Sequence, residues 1–463
     1  MLVRFLTWLR WPLVLVLLVA LNALPVVAAA SSFSLKQTEI VIPQVDYEGA
    51  IQYKPNDPLP YLDLDRVQWE QIVRKSHRVV MLDNEYLHVT ILPEMGRVYS
   101  MVFKPTGSET LWHNQIARPG RANNKTGWWL WLGGIEFTLP GDEHGTTWAL
   151  PWTYSILEDS QERKALRMEV TEPGTGLVES IAFSFYPGTA YLEAEIQILN
   201  HSADPVEFAH WVNPMWVPGG ENELTDNTEF ILPTKRILVE ERWQKSLGPS
   251  PQPWPENPLR FIRNWKVGDI MADGLEAGFF GAYSHDAEEG VVRVFDPMKN
   301  PGVDIWTYGF RPKGTPVEFS EPSKGYVEMW GGTVKHFPNQ LRPLEAGAAL
   351  QWTEWIYPFQ KTSGVTLATK DVSVNFVVTG DLKTAKIGIC PTRSIDDVLV
   401  EIRSLGKVLF RDVAQISPAA PYQKELKRVV DLNERGLTLV VSSAGIELVR
   451  CQPSRWSGFV SSE

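Results

Sequence analysis

The fold is decided by the stretch RVVMLDNEYLHVTILPEMGRVYSMVFKPTG, residues 78–107. Apolar and polar side chains alternate with a period of two through residues 78–82, 86–92 and 98–103, and turn-forming Asp, Asn, Pro and Gly separate these segments. Alternation that is interrupted by such turns about every ten residues is typical of antiparallel sandwiches. The stretch therefore predicts three consecutive strands of an all-β domain.

The same alternation recurs further along the chain, which indicates one large domain over residues 78–360. No glycine-rich nucleotide-binding loop is present, and alternating strand and helix patterns are absent from the sequence. We therefore expect a large antiparallel sandwich. Its further predicted strands are 166–170, 179–185, 191–198, 290–295 and 351–359.

The regions on either side of this domain have a different character. Residues 31–77 are polar and Pro-rich and are expected to form an N-terminal extension, in which residues 65–76, opened by an acidic turn, are predicted to be a short helix. Residues 361–463 follow a linker at 361–364 and are expected to form a small immunoglobulin-like β-sandwich. Its predicted strands are 372–378, 385–389, 397–402, 407–410 and 437–441.

The N-terminus predicts the compartment. Arg4 and Arg10 precede an apolar run over residues 11–27, and small residues follow at 28–31. This order is typical of a secretory signal peptide, here residues 1–30. We expect an exported protein that is periplasmic, extracellular or on the cell surface. The alternative is that the leader is retained as a membrane anchor, although the run is short for a span.

Composition excludes some functions. The 463 residues carry a net charge of −11 and no basic stripe, which argues against nucleic acid as a partner. Two cysteines, Cys390 and Cys451, lie in the last hundred residues, and export would permit one disulfide between them. Because no histidines cluster with them, neither a metal nor another cofactor is expected.

The chain contains 19 tryptophans, which either stack on sugar rings or fill the core of the sandwich. Trp129 and Trp131 lie in a run of three tryptophans that leads through a glycine pair to Glu136. The glycines suggest a backbone that approaches a ligand, or else a β-bulge beside core tryptophans. His144, in the following loop, is either a donor to a ligand oxygen or a structural residue.

Two later segments add candidate ligand-binding residues. In the strand-like run 210–216, Trp211 and Asn213 share one face, and His210 lies on the other. We favour Asn213 beside a stacking Trp211 as the sugar contact, with His210 as the alternative. Asp304 and Trp306 also share a face, which suits sugar recognition, although an Asp at a strand end is often only a turn cap.

Glu328 is the strongest single candidate for chemistry. It lies in the otherwise apolar run Tyr326–Gly332, next to Trp330 and a glycine pair. Burying a carboxylate without a cationic partner is costly, and desolvation raises its pKa. Glu328 is therefore predicted to be a general base that lines a sugar-sized cleft.

These motifs resemble a known superfamily. Glu328, followed by Leu341-Arg342-Pro343 and Gln351-Trp352-Thr353-Glu354, resembles the C-terminal part of aldose 1-epimerases, the galactose mutarotases. The chain resembles still more closely an uncharacterised bacterial family of the mutarotase-like superfamily that is often fused to tetratricopeptide repeats. That resemblance extends from residue 78 to residue 359 and is carried by residues 80–87, 92–98, 104–107, 133–137, 211–213 and 306–309.

The resemblance implies a mutarotase-like supersandwich and a sugar or glycan as partner. It implies that Glu328 is the base toward the anomeric hydroxyl and that His144 and His210 correspond to the two histidines of true mutarotases. His210 is offset by one residue, and such an offset turns a side chain to the opposite face of a strand. Arg97 and Asn213 are expected to hold hydroxyl groups together with Glu328.

We therefore expect an exported carbohydrate-binding protein. The alternative is an epimerase-type or glycan-processing enzyme that uses Glu328. A glycosidase would need a second carboxylate, for which Asp304, Glu136 and Glu143 are candidates. The sequence of the C-terminal region predicts a β-sandwich in place of tetratricopeptide repeats.

Overall fold

The computed structural model describes residues 33–309, 325–337, 340–378, 384–427 and 436–454. The predicted signal peptide, residues 1–30, lies outside this part of the chain. Strands dominate the described residues, and the α-helix α1 (Gln244–Leu247) has a single turn. Within the same residues we find no helix with the length and apolarity needed to span a membrane. Short 3-10 helices lie at Glu48–Ala50, Leu64–Arg66, Pro93–Met95, Thr147–Ala149, Glu241–Trp243, Pro258–Arg260 and Ile262–Asn264.

The strands of the body fall into two groups in chain order. The first group is β1 (Ser34–Asp46), β2 (Ile51–Lys54), β3 (Asp57–Leu62), β4 (Gln68–Asp83), β5 (Leu87–Leu92), β6 (Arg97–Phe103), β7 (Ser108–Glu109), β8 (His113–Arg121), β9 (Trp128–Gly133) and β10 (Ile135–Thr138). The second group is β11 (Thr153–Asp159), β12 (Lys164–Thr171), β13 (Val178–Phe185), β14 (Leu192–Leu199), β15 (Val206–Phe208), β16 (Trp211–Trp216), β17 (Thr228–Ile231), β18 (Arg236–Val239), β19 (Gln252–Pro253), β20 (Gly268–Ala272), β21 (Phe279–Ser284), β22 (Glu289–Val294), β23 (Gly302–Thr307), β24 (Val327–Gly332), β25 (Arg342–Leu344) and β26 (Ala349–Gln360).

Two large sheets form the body. One has 14 strands in the order β19-β18-β20-β23-β24-β16-β10-β6-β5-β4-β1-β8-β9, with β7 beside β6, and the other has eight in the order β11-β12-β13-β14-β26-β22-β21-β17. One buried apolar cluster contains Val212 and Met329 from the larger sheet and Ile181 and Phe183 from the smaller one. The sheets therefore pack face to face, and the predicted large antiparallel sandwich is confirmed.

The predicted helix over residues 65–76 is wrong. Only Leu64–Arg66 is helical, as a 3-10 turn, and the residues from Gln68 onward belong to the 16-residue strand β4. This strand pairs antiparallel with β1 along almost its whole length. The pairing with β1, which lies more than twenty residues earlier in the chain, overrides the local helical pattern. Part of the expected N-terminal extension is thus built into the larger sheet.

The C-terminal region forms two four-stranded sheets, β27-β28-β29-β32 and β31-β30-β33-β34. Apolar residues of both sheets, among them Val374, Ile389, Val400 and Leu439, share one buried cluster, so the expected small β-sandwich is present. Its strands are β27 (Leu367–Ala368), β28 (Val372–Val378), β29 (Thr384–Pro391), β30 (Ile395–Ser404), β31 (Lys407–Ile416), β32 (Tyr422–Lys427), β33 (Leu437–Ser443) and β34 (Ile446–Cys451).

The disulfide that export would permit between Cys390 and Cys451 is not present in this structure, in which both thiols are free and buried. The physical reason is that the two side chains serve different cores. Cys451 packs in the core of the small sandwich. Cys390 packs with Tyr357 and Phe359 of β26 in the cluster that joins the small sandwich to the body.

Candidate functional site

The site is built on the face of the larger sheet that turns away from the eight-stranded sheet. Arg97 of β6 lies opposite Glu136 of β10, and Glu136 lies opposite Asn213 of β16. Two strands further along, Trp306 of β23 lies opposite Glu328 of β24. Side chains that lie directly opposite in a sheet are about 5 Å apart at Cβ. Polar residues from distant parts of the sequence thus form one continuous row.

A cleft opens above these residues. Both aromatic and titratable side chains line the cleft. The lining residues are Arg121, Trp129, Glu143, His144, Arg242, Asp269, Asp304, Trp306, Tyr308, Glu328, Trp330 and Phe337.

Glu328 is buried at the base of the cleft, with 4% of its surface exposed. One carboxylate oxygen accepts hydrogen bonds from Asn213 Nδ2 at 3.1 Å and from Trp330 Nε1 at 2.9 Å. The other accepts from the Tyr326 hydroxyl at 3.1 Å. Trp131 Nε1 in turn donates to that hydroxyl at 2.9 Å. The carboxylate is held in one orientation by neutral donors alone.

Burial raises the pKa of Glu328 to about 7, and the negative charge of Glu136 adds to the rise. The positive charge of His144 and the hydrogen bonds from neutral donors oppose this shift without cancelling it. A carboxylate with a pKa near neutrality combines partial ionisation with useful basicity, which is the requirement for a general base.

His144 lies beside Glu328 and belongs to a second hydrogen-bonded chain. Its Nδ1 is 2.8 Å from a Glu136 oxygen, and the other Glu136 oxygen accepts from Arg97 Nη2 at 2.9 Å. Arg97 Nη1 donates to the Gly133 carbonyl at 2.7 Å. Within the described residues no hydrogen bond engages His144 Nε2. The Nδ1 side of the His144 ring is therefore fixed by Glu136, and Nε2 remains available to a ligand.

The protonation states of Glu136 and His144 follow from this chain. Burial alone would raise the pKa of Glu136, but Arg97 and His144 outweigh it and hold that pKa below its ordinary value. Burial alone would lower the pKa of His144, but the Glu136 carboxylate, with Glu328 and Glu143, raises it above its ordinary value. His144 is thus set up as a proton donor beside a proton acceptor.

Aromatic rings form the walls of the cleft. The Trp129 indole stacks on His144 with ring centroids 3.7 Å apart, and Trp330 lies 5.3 Å from the same imidazole. On the other side, Trp306 meets Tyr308 edge to face at 4.2 Å. Rigid aromatic faces around a few directed polar groups are typical of sugar sites.

The far end of the cleft is acidic. Asp304 and Asp269 both line it, and both are buried with an Oδ1 atom that has no hydrogen-bond partner among the described residues. Burial, with the nearby charge of Glu240, raises the pKa of Asp269 to about 7. Burial and the charge of Asp269 raise the pKa of Asp304 well above its ordinary value.

The structure places the predicted site residues in three groups. Six of them line the cleft itself: Glu328, His144, Trp129, Asp304, Trp306 and Trp330. Four others lie behind these residues and position them: Arg97, Glu136, Asn213 and Trp131. The remaining two, His210 and Trp211, do not reach the cleft.

The prediction that His210 acts as a catalytic acid is contradicted by its position. Its side chain is fully buried, its Nε2 is 2.8 Å from Glu179 of β13, and its ring lies against Trp352 of β26. Both partners belong to the eight-stranded sheet, so His210 points between the sheets. The alternation that brings Asn213 to the site turns His210 away from it.

Trp211 is on the expected face but does not stack on a ligand. It packs beneath Trp330 in a small buried cluster and meets Phe337 edge to face at 5.3 Å. A Cβ atom at Gly332 would lie 2.2 Å from the Trp211 ring. The glycine therefore lets β24 rest directly on this indole, and Trp211 supports the floor of the site.

The glycine pair after β9 serves chain packing rather than ligand approach. Gly133 and Gly134 have φ angles of +103° and +83°. Cβ atoms there would lie 2.1 Å from the Trp112 carbonyl oxygen and 2.3 Å from the Val98 carbonyl oxygen. The pair makes a tight kink between β9 and β10, which is the alternative reading of this motif.

Sequence reasoning missed four residues of the cleft, namely Arg121, Arg242, Asp269 and Phe337. Asp269 could have been found from the sequence, because it is an acidic residue within the short apolar strand Gly268–Ala272, just as Glu328 is in β24. The two arginines lie at the end of β8 and in a 3-10 turn, where charged residues are common. In the described portion of the chain, no group of three or more His, Cys, Asp or Glu residues is arranged to hold a metal ion.

The fold and the cleft define the class as a two-sheet antiparallel β-sandwich protein with an aromatic-lined cleft. The chain is similar to the solved structure of a TPR-domain containing protein from Parabacteroides distasonis, with 20% identity and a TM-score of 0.57; the match covers 70% of this chain and 55% of that one. This chain thus spans about half the length of that protein.

Two solved galactose mutarotase-like proteins are also similar. The match to the protein from Lactobacillus casei has 12% identity and a TM-score of 0.44 and covers 60% of this chain and 99% of that one. The match to the protein from Clostridium acetobutylicum has 10% identity and a TM-score of 0.45 and covers 71% of this chain and 99% of that one.

The chain belongs to the family described as Domain of unknown function (DUF5107), whose model matches residues 53–363. Residues 367–451 match a second model, described as YphG-like protein, second domain. The two matches meet close to the boundary between the body and the small sandwich.

Proposed function

We propose that this protein binds a sugar or glycan in the cleft above Glu328. The observation that carries the proposal is the convergence of Glu328, His144, Trp129, Trp306 and Trp330 on one cleft. Aromatic faces are suited to the apolar faces of a pyranose ring, and the fixed polar groups are suited to its hydroxyls. The order of residues 1–31 supports export as part of the proposal.

Binding is tested by calorimetry against a panel of mono- and oligosaccharides. Trp306→Ala removes one aromatic wall, and we expect Kd to rise about 5- to 150-fold for any sugar that the wild type binds, because loss of an aromatic face costs about 1–3 kcal/mol. Trp69→Ala, at an exposed residue outside the cleft, is the matched control and should leave Kd unchanged. Absence of heat with every sugar would contradict the proposal.

A second candidate function is acid–base catalysis at the anomeric carbon, and the pKa of about 7 at Glu328 favours it. In this reaction Glu328 takes the proton of the C1 hydroxyl and His144 gives a proton to the ring oxygen. The C1–O5 bond breaks to leave an open-chain aldehyde. Closure on the other face of the carbonyl returns both protons and yields the opposite anomer.

Polarimetry of freshly dissolved aldoses tests this reaction. Glu328→Gln should lower kcat by about a hundredfold to ten-thousandfold, since an amide cannot accept the proton. For the wild type, kcat/KM should rise with pH through about 7 as Glu328 ionises, and fall at higher pH as His144 loses its proton. Equal rates for wild type and Glu328→Gln would remove the catalytic role and leave the binding proposal standing.

A further inference from the structure

Strand β9 separates the cleft from a second cavity. Alternate side chains of a strand point to opposite sides, so Trp129 faces the cleft while Trp128 and Leu130 line the other cavity. We name this second cavity the Trp148 cavity after the residue on its wall. The cleft and the Trp148 cavity share no lining residue.

Four of the side chains that line the Trp148 cavity are aromatic, namely Tyr47, Tyr53, Trp128 and Trp148. Trp128 meets Trp148 edge to face at 4.8 Å and Tyr47 at 5.6 Å. Tyr53, on the cavity wall, is 67% exposed. A large exposed aromatic side chain beside a ring-lined hollow is a common arrangement for ligands that stack.

Two donors beside this cavity have no acceptor. Arg97 Nε and Trp148 Nε1 are buried and make no hydrogen bond to any residue that the structure describes. Both side chains are more than nine-tenths buried. A buried donor without a partner is unfavourable, and most such groups in proteins have one. An acceptor supplied by a ligand would satisfy both.

The charges at the cavity indicate a neutral ligand. Arg97 already forms an ion pair with Glu136 at 2.9 Å, so its charge is compensated from within the protein. Glu94, which also lines the cavity, is paired with Arg78 at 2.5 Å. A ligand that suits this cavity therefore offers hydrogen-bond acceptors and apolar faces and carries no net charge.

We propose that the Trp148 cavity is a second carbohydrate-binding site, in which a neutral sugar ring stacks on the aromatic wall and its oxygens accept from Arg97 Nε and Trp148 Nε1. The site goes beyond the proposed function of the cleft and does not depend on it. Arg97 lines this cavity and is connected to the cleft through Glu136, which it holds and which in turn holds His144. A ring in the second site therefore also contacts the residue that positions His144.

Calorimetry with phenyl β-D-glucopyranoside, carried out in a Trp306→Ala background, tests the second site separately from the cleft. We expect one binding event to persist in this background. Adding Trp148→Phe should raise Kd about fivefold, because one ligand hydrogen bond is lost. The folded protein loses no internal hydrogen bond through this change, but the smaller ring packs less well against Trp128, so binding is measured at a temperature at which both proteins are folded.

The matched control is Trp216→Phe in the same background. Trp216 also has an indole N–H without a partner among the described residues, but it lies in the core between the sheets and lines neither cavity. Its substitution should leave Kd unchanged. Loss of all binding in Trp306→Ala, or equal weakening by Trp148→Phe and Trp216→Phe, would overturn the second site. If the wild type still binds the probe, the proposal for the cleft survives either result.

Discussion

At the scale of single residues, Glu328 and His144 form a pair in which Glu328 tends to accept a proton and His144 tends to donate one. Glu328 is surrounded by neutral donors and has a pKa raised to about 7, whereas His144 is fixed by Glu136 and has a raised pKa of its own. Near neutral pH the base can accept a proton while the acid still carries one. Environment, and not residue type, assigns these two roles.

The same pKa shift predicts a pH dependence of stability. Between about 4.5 and 7 the folded protein keeps the Glu328 proton that the unfolded chain has released, so this contribution is complete below 4.5 and is lost as pH rises through 7. The free energy of unfolding should fall by at most about 3 kcal/mol over this range. Urea unfolding of wild type and Glu328→Gln measures it, and the mutant should show a smaller fall. Identical pH profiles would contradict the raised pKa.

At the scale of elements, strand β24 holds the site by close packing on both of its faces. Gly332 leaves room for the Trp211 ring, and a Cβ at Gly331 would lie 2.1 Å from Arg293 Nη1. Arg293 belongs to β22 and forms a fully buried ion pair with Glu354. The two glycines therefore let one strand rest on an indole and on a buried guanidinium.

We expect Gly332→Ala to push β24 away from Trp211. The substitution should lower the free energy of unfolding by about 1–3 kcal/mol and weaken sugar binding, because Trp330 and Glu328 move with the strand. Gly49→Ala is the matched control, since nothing lies within 4 Å of a Cβ there. Chemical denaturation and calorimetry measure both effects. Unchanged binding in Gly332→Ala would show that the cleft does not depend on this packing.

The strands also show where local reasoning works. Period-two alternation placed β5, β6, β12, β13 and β26 correctly, because each buries one face against the opposite sheet. The same alternation did not predict a strand over residues 65–76, because few apolar residues occur in this part of β4, which pairs with β1. There the backbone pairing with β1 decides the conformation, and no local pattern reports that pairing.

At the scale of the whole molecule, the small sandwich packs against the face of the eight-stranded sheet that points away from the larger sheet. The Tyr357 hydroxyl donates to the Thr369 carbonyl at 2.6 Å and accepts from the Ser373 hydroxyl at 3.0 Å. Phe359 and Cys390 share the apolar cluster at the same junction. The two units are therefore expected to unfold together.

Differential scanning calorimetry should show a single cooperative transition for the wild type. Tyr357→Phe removes the hydrogen bonds to the half-buried Thr369 carbonyl and from the buried Ser373 hydroxyl, and it should lower the free energy of unfolding by about 1–3 kcal/mol. Tyr61→Phe, which removes a partly buried hydrogen bond to Asp57 far along the chain, serves as the comparison and should cost less. Two separate wild-type transitions would contradict the coupling.

Residue order alone determined the all-β class, the boundary near residue 361 and Glu328 as the buried acid, because period-two alternation and a charge inside an apolar run are local properties. Sheet register decided the rest. It set Arg97, Glu136 and Asn213 side by side and turned His210 into the core. It also placed Cys390 and Cys451 in different apolar clusters. Pairing between strands that are distant in sequence depends on which partners bury the most surface together, and no short segment carries that information.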